Sequence, residues 1–543
     1  MKKIFKYLLA VALPALMLTG CIDETEPESS YATSEQIGSS STALEASLNG
    51  IPSTMVQGYL IYGEQENETD MAYPQFMIAC TEMLGDMYPE GSNTGYDWYR
   101  YYNIFTKNFN KEGAYSYIPF FTLYKFVKAA NDIIGAVDIE DESLSDDMLG
   151  MAGIAYAVRA FSYFWLTILF EPVDNIYTDC TSVLGLTVPK VTEETDGEAS
   201  KNNPRISHDE MIEFIISDLD IAEQCLENYT PSSKLFPDLS VVYGIKAKTY
   251  LWDEDYSNAA TYARKAIDES GATPMSESEW LDLNTAFNTA TSAWMWYLTY
   301  AAENMGNLCN FIGWISGEAD WGYSSLTCPS IDRSLYDKIS YNDFRKYAFL
   351  DPDRSVYDYE TSRDQDWLDE QNDYLALKFR CRDADYSTYT VGGAVDVPIM
   401  RVEEMYLIEA EAVGASQGVS AGTALLNTFM QTYRQPDYSF TASSLSELQV
   451  EVLTQMRIEF WGEGIAFQTA KRIKPGIIQN YDGTNAPEDV FKINCEGVKP
   501  NWTLVIPIEE EDANTAISGN NNPDPSGTVT GPTTIGEYAP GNY

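Results

Sequence analysis

Residues 241–270 read VVYGIKAKTYLWDEDYSNAATYARKAIDES. Small and aromatic residues fall at Ala247, Tyr250, Tyr256, Ala259, Ala263 and Ala266, with steps of 3, 6, 3, 4 and 3. Steps of three and four place side chains on one face of a helix. The longer step spans Asp253–Tyr256, a turn signal between two such faces. The stretch therefore predicts two antiparallel helices with small residues at their crossing.

That spacing matches the tetratricopeptide pattern, apart from Ala263, where an aromatic is usual. A second hairpin of this kind is expected over Val402–Ala415 and Ala421–Tyr433. One such unit cannot bury its own face, so other helices must stack on it. The periodicity supplies them at Ile118–Val137, at Met151–Phe170 and at Met211–Cys225. The second ends before Glu171-Pro172, as helices usually do before proline. The fold class is mostly all-α.

Residues 272–397 differ. They hold Trp280, Trp294, Trp296, Trp314, Trp321 and Trp367 among many Gly, Asp and Ser, and read as loops with short elements. Long loops in compact domains tend to be functional. Trp294 and Trp296 lie in an apolar alternating run, as in a buried strand or helix edge. Residues 513–543, rich in Gly, Asn, Pro and Thr, read as an irregular tail.

At the other end, Lys2, Lys3 and Lys6 precede the apolar stretch Tyr7–Leu18, then Leu18-Thr19-Gly20-Cys21. This order is that of a secretory signal. The apolar part is shorter than the ~20 residues a bilayer span needs. Cysteine after Leu-Thr-Gly resembles the bacterial lipobox, in which the thiol carries a diacylglycerol. Cys21 is therefore the lipidation candidate, and several acyl chains suffice for stable anchoring. Residues 1–20 read as the signal, 21–40 as an acidic tether, 41–270 as an N-terminal helical part, and 271–543 as a C-terminal part of the same compact unit. Acidic residues beside such a cysteine resemble the export signal of bacterial surface lipoproteins, which implies the cell exterior over the periplasm.

The 543 residues carry a formal net charge of −48. Loss of residues 1–20 would leave 31 basic against 82 acidic side chains, net −51. Nucleic acid and anionic lipid surfaces need basic contacts, so neither is expected as a partner. Neutral ligands are favoured over polyanions. The eight cysteines include no CxxC, which excludes a zinc framework and a disulfide-dense scaffold. A Cys309–Cys328 bridge and buried free thiols are both open. The lone histidine, His208, lies in Ser207-His208-Asp209-Glu210, a capping-box pattern that places it in a first helical turn. Any Ser-His-Asp or Cys-His hydrolase would have to use it, and a His-rich metal site is excluded. Asp351-Pro352-Asp353 offers oxygens to calcium, but no EF-hand spacing is present. No cofactor is expected.

Several motifs occur in order along the chain. Leu123-Tyr124-Lys125 leads to Asn131-Asp132-Ile133-Ile134, and Arg159-Ala160-Phe161-Ser162-Tyr163-Phe164 follows. Later come Arg401-Val402-Glu403-Glu404-Met405-Tyr406-Leu407-Ile408-Glu409-Ala410-Glu411-Ala412, then Arg457-Ile458-Glu459-Phe460-Trp461-Gly462-Glu463-Gly464, then Lys471-Arg472 and Ile506-Pro507-Ile508. With the lipobox and the hairpin, they resemble the SusD/RagB family of surface nutrient-binding lipoproteins over nearly the whole mature chain. Ile465-Ala466-Phe467-Gln468-Thr469 departs from the family's usual Arg-aromatic-aromatic-Asp-Leu, and the tail is longer. Read as chemistry, Arg401, Glu403, Glu404, Arg457 and Glu459 suit ion pairs between packed helices better than ligand contact.

The resemblance implies a non-catalytic lid on a SusC-like TonB-dependent outer-membrane transporter. Its ligand would be an oligosaccharide held on aromatic platforms from an early loop and the irregular middle region. In the early loop, 86–103, Trp98 is the platform candidate, with Tyr99, Tyr101 and Tyr102 beside it. In the middle region, Trp314 and Trp321 have glycine neighbours that suit exposed rings. Asp86, Asp320 and Arg380 are the candidate partners for sugar hydroxyls. A peptide-capturing lid is the alternative, since tyrosine-rich surfaces also bind peptides. A surface glycosidase would need only two carboxylates, and nothing marks a pair out.

Overall fold

The computed structural model describes residues 34–56, 72–89, 109–302, 310–326, 328–354, 361–487 and 491–526. In chain order, the first half is α1 (Ser34–Gly38), α2 (Ser41–Met55), α3 (Tyr73–Met83), β1 (Met87–Pro89), α4 (Ala114–Ile134), α5 (Asp146–Phe170), β2 (Leu186–Pro189), β3 (Arg205–Ser207), α6 (His208–Leu226), α7 (Leu239–Trp252) and α8 (Tyr256–Ser270). The middle region gives α9 (Glu277–Trp280), β4 (Trp294–Thr299), α10 (Phe311–Ile315), β5 (Pro329–Ile331), α11 (Arg333–Tyr336), α12 (Gln365–Glu370), α13 (Tyr389–Gly392) and β6 (Asp396–Arg401). Then follow α14 (Val402–Ser416), α15 (Val419–Tyr433), α16 (Leu445–Glu459), α17 (Ala466–Ile473), β7 (Ile477–Ile478), β8 (Asn494–Cys495) and α18 (Ile508–Ala513). The strands make four antiparallel pairs: β1–β5, β2–β3, β4–β6 and β7–β8. The expected mostly helical class is what forms.

Both hairpins are present. In α7–α8, Ala247, Ala259, Ala263 and Ala266 are fully buried at the crossing. Asp255 caps α8 by accepting from the Asn258 backbone N–H. The second hairpin, α14–α15, packs on α8. Its crossing is tight: a Cβ on Gly422 would lie 2.3 Å from the Ala410 carbonyl oxygen. Only glycine permits that approach. The long helix α5 is apolar enough to cross a membrane, but its apolar window is wholly buried inside the fold. It begins on the cap Ser145 and ends before Pro172. Ser207 and Glu210 form the expected capping box of α6, with His208 in its first turn.

The motif residues hold these helices together. Arg159 donates to both carboxylate oxygens of Asp218 at 2.8 Å and to the Asn131 side-chain oxygen at 2.8 Å, joining α4, α5 and α6. Arg401 pairs with Glu403 at 3.0 Å, Glu459 at 3.1 Å and Glu463 at 2.9 Å. Lys248 pairs with Glu404 at 2.9 Å. Lys471 donates to the carbonyls of Ile168 and Glu171 at 2.6 and 2.9 Å, at the end of α5. Burial drives its ammonium down to about 7. In the departing segment, Phe467 is buried and Gln468 donates to Glu404 at 3.1 Å.

The middle region consists of loops around short elements, and Trp294 and Trp296 on β4 are buried. The tail is irregular through residue 526 but anchored. Asn522 donates to the carbonyls of Phe170 and Leu504 at 2.7 and 2.8 Å, and Arg205 donates to the Asn522 side-chain oxygen at 2.9 Å.

Candidate functional site

The early loop and the middle region meet at its foot. Strand β1, directly after Asp86, pairs with β5 in the register Met87↔Ile331. Asp86 itself is 1% exposed. Both of its carboxylate oxygens accept from Arg457, and its carbonyl accepts from the Trp461 indole at 2.8 Å. Asp86 therefore anchors the loop and is closed to a ligand. Trp98, Tyr99, Tyr101 and Tyr102 lie outside the described residues, as do Cys21 and Cys309.

The two middle-region platforms are not open rings. Trp314, on α10, is fully buried and packs edge-on against Tyr323 with centroids 4.8 Å apart. Trp321 is 5% exposed, its indole N–H donates to the Asn310 side-chain oxygen at 3.3 Å, and its ring lies over Gly392. The flanking glycines do not present the rings, and Gly392, distant in sequence, lets backbone and the Trp321 ring approach closely. Arg380 is likewise buried, paired with Glu318 at 2.9 Å. Of the candidates in the middle region, Asp320 alone is exposed.

Glu318 organises what is exposed nearby. One of its carboxylate oxygens accepts from the Thr361 hydroxyl at 2.6 Å and the Ser362 N–H at 2.9 Å, and its carbonyl accepts from Arg363 at 3.1 Å. Burial alone would raise the carboxyl; Arg380 and these hydrogen bonds outweigh it and hold it below its ordinary value. The tethered Arg363 then lies between two half-exposed rings. Its guanidinium is 4.9 Å from the Trp367 centroid and 4.3 Å from that of Tyr386. The Asp320 N–H donates to the Tyr386 carbonyl at 2.9 Å, which ties the backbone of this exposed residue to the same cluster. Two flat rings, a planar cation and a carboxylate can stack on a sugar ring and fix its hydroxyls.

A family model described as starch-binding associating with outer membrane matches residues 54–251. The model of the SusD family matches residues 193–522, more than half of the chain. The chain belongs to the SusD family. No match was found among curated proteins. A SusD-like carbohydrate binding protein from Bacteroides vulgatus ATCC 8482 shares the fold with a TM-score of 0.67 at 22% identity, over 89% of this chain and 98% of its own. A SusD superfamily protein from Bacteroides thetaiotaomicron VPI-5482 gives 0.66 at 19% identity, over 89% and 100%. Surface glycan-binding protein A from Bacteroides thetaiotaomicron, solved in complex with laminarihexaose, gives 0.61 at 15% identity, over 90% and 99%.

Within this SusD fold, sequence reasoning passed over Arg363 and Tyr386. Their 23-residue separation carries no periodic signal. The usable hint was Trp367 in a polar setting, Asp364-Gln365-Asp366-Trp367, which solvates one side of the ring. Among the described residues, no three His, Cys, Asp or Glu side chains converge to hold a metal ion. Asp351 instead accepts from the Arg354 backbone N–H. His208 sits between Glu171, 2.9 Å from Nδ1, and Asp253, 3.2 Å from Nε2.

Proposed function

We propose that this chain is a lipid-anchored protein of the outer membrane, facing the cell exterior, that captures neutral oligosaccharides without cleaving them and acts as the lid of a TonB-dependent transporter. The observation that carries the reading is membership of the SusD family, together with a fold shared over 90% of the chain with a protein solved on laminarihexaose. The lipobox at Cys21 supports the anchor. The net charge of −48 supports neutral over anionic glycans. The Trp367–Arg363–Tyr386 cluster, with Asp320 beside it, supplies the described part of the binding surface, and Trp98 and Tyr101 would extend it from the early loop.

The test is native affinity electrophoresis of residues 22–543 in gels cast with neutral glycans, acidic glycans or a peptide pool. Trp98→Ala and Trp367→Ala run beside the wild type. Retardation by a neutral glycan that either variant loses is the expected result. Retardation by the peptide pool alone would replace the glycan by a peptide. Release of reducing ends from a retarding polysaccharide would refute the non-catalytic reading.

A further inference from the structure

A cleft of about 410 Å³ opens between the turn before α4, the segment at Val505, helix α18 and the tail. Its described lining includes Lys111, Glu112, Val505, Glu511, Asn521 and Asp524. It shares no residue with the Arg363 cluster. Its size falls within the roughly 300–1,000 Å³ of small-molecule sites.

The walls are fixed before any ligand arrives. Asn521 exchanges two hydrogen bonds with the Ile506 backbone, at 2.9 and 2.8 Å, and donates to Glu511 at 3.0 Å. Lys111 closes the other side on Glu511 at 2.9 Å, and the Ile508 N–H donates to the Lys111 carbonyl at 2.8 Å. Asn522 is held to Phe170 and Leu504. Rigid walls reduce the ordering cost of binding.

The chemistry of the lining selects the ligand. Among the described residues Val505 is its only apolar side chain, so the described lining offers hydrogen bonds rather than stacking or greasy contact. The exposed Glu112 and Asp524 are acceptors with capacity to spare, since one oxygen of Asp524 accepts the Ser526 N–H at 2.8 Å and the carboxylates otherwise face the cleft. Lys111 is already matched to Glu511, so an anion would meet two uncompensated carboxylates. We infer that this cleft is a second saccharide site, taking a short neutral sugar through its donor-rich hydroxyls. The ligand class rests in part on the glycan reading above; the site rests on the cleft alone.

Hydrogen exchange of residues 22–543, which include every described residue, tests it with laminarihexaose, maltohexaose and mannohexaose as probes and spermidine as the cationic control. The expected result is slowed exchange in peptides spanning 109–113 and 505–524 with one saccharide. That slowing should survive Trp367→Ala and weaken at least about tenfold in a Glu112→Ala/Asp524→Ala double variant. Both substituted side chains are exposed, so the fold should not depend on them. Slowing confined to 361–389 would overturn the cleft and leave the glycan reading standing. Slowing at the cleft by spermidine alone would overturn the ligand class. No slowing by any of the three saccharides would overturn both.

Discussion

Asp86 and Arg457 stand 371 positions apart, and both carboxylate oxygens of Asp86 accept from the Arg457 Nε, at 2.9 and 3.0 Å. The pair ties the foot of the early loop to the end of α16, where the Arg457–Gly464 motif begins. Asp86 is buried, so neutralising it strands the guanidinium and removes the loop's anchor. Asp86→Asn should cost about 3 kcal/mol in urea unfolding, at the low end for a broken buried pair because the Arg457 side chain keeps 23% of its exposure. An Asp86→Ala/Arg457→Ala double variant should lose less than the sum of the two singles. Additive losses would mean that the two side chains act independently.

Glu459 bears a heavier load. Arg345 at 3.0 Å, Arg401 at 3.1 Å and Arg434 at 2.8 Å converge on its carboxylate, with every side chain fully buried. Burial would raise its pKa, but the three arginines, Arg434 foremost, hold it well below the ordinary 4.5. A depressed folded pKa means that the stabilisation is present above about pH 4.5 and is lost as pH falls through the folded value. Glu459→Gln should therefore cost about 3–5 kcal/mol near pH 7. The gap between wild type and variant should narrow in acid, as followed by urea midpoints between pH 7 and pH 3. A gap independent of pH would point to a packing effect.

The helices and their hairpins were legible because periodicity is local. Ala247, Ala259 and Ala263 report burial through spacing alone. The ion-pair role of Arg401 and Glu459 was legible from their alternation with apolar residues, but their further partners were not. Arg345 and Arg434 reach Glu459 from separate elements, a convergence that no local pattern records. The candidate site was legible by region rather than by residue. Trp314 and Trp321 sit beside glycines, as exposed rings on loops often do, yet here Gly392 admits the Trp321 ring into the fold. Arg363 and Tyr386 meet only because buried Glu318 gathers residues 361–363, and a buried carboxylate has no signature among 82 acidic residues.

His208 offers a titration with one reporter, since the chain has one histidine. The hydrogen bond to Glu171, opposed by burial and helped by the charges of Glu171 and Asp253, raises it from 6.5 to about 9. A raised folded pKa gives stability that is complete below about pH 6.5 and is lost as pH rises through 9. The imidazole is 24% exposed, so about 1 kcal/mol is expected after solvent screening. The stability difference between wild type and His208→Gln should shrink from pH 6 to pH 10, and the ring signals should titrate near 9 by NMR. A midpoint near 6.5 would show that the Glu171 contact does not persist in solution.

Cys21 is tested in cells. Cys21→Ser removes the thiol that would carry the diacylglycerol, and a lone apolar stretch of twelve residues does not span a bilayer. The variant should leave the membrane fraction and lose incorporation of labelled fatty acid, while wild type keeps both. Retention of the label in the variant would place the lipid elsewhere.

Arg363 separates a platform from a structural salt link. Its guanidinium stacks on Trp367 and Tyr386, and stacking depends on a planar cation that lysine does not provide. If the cluster meets the glycan, Arg363→Lys should weaken binding nearly as much as Arg363→Ala, by about tenfold, which is about 1.4 kcal/mol. If Arg363 served only as a charge, lysine would rescue. Trp314→Phe is the contrast, because that ring is sealed against Tyr323. It should cost stability by thermal melting and leave affinity for the same glycan unchanged. Loss of affinity in Trp314→Phe with full affinity in Arg363→Ala would move the binding surface away from the Arg363 cluster.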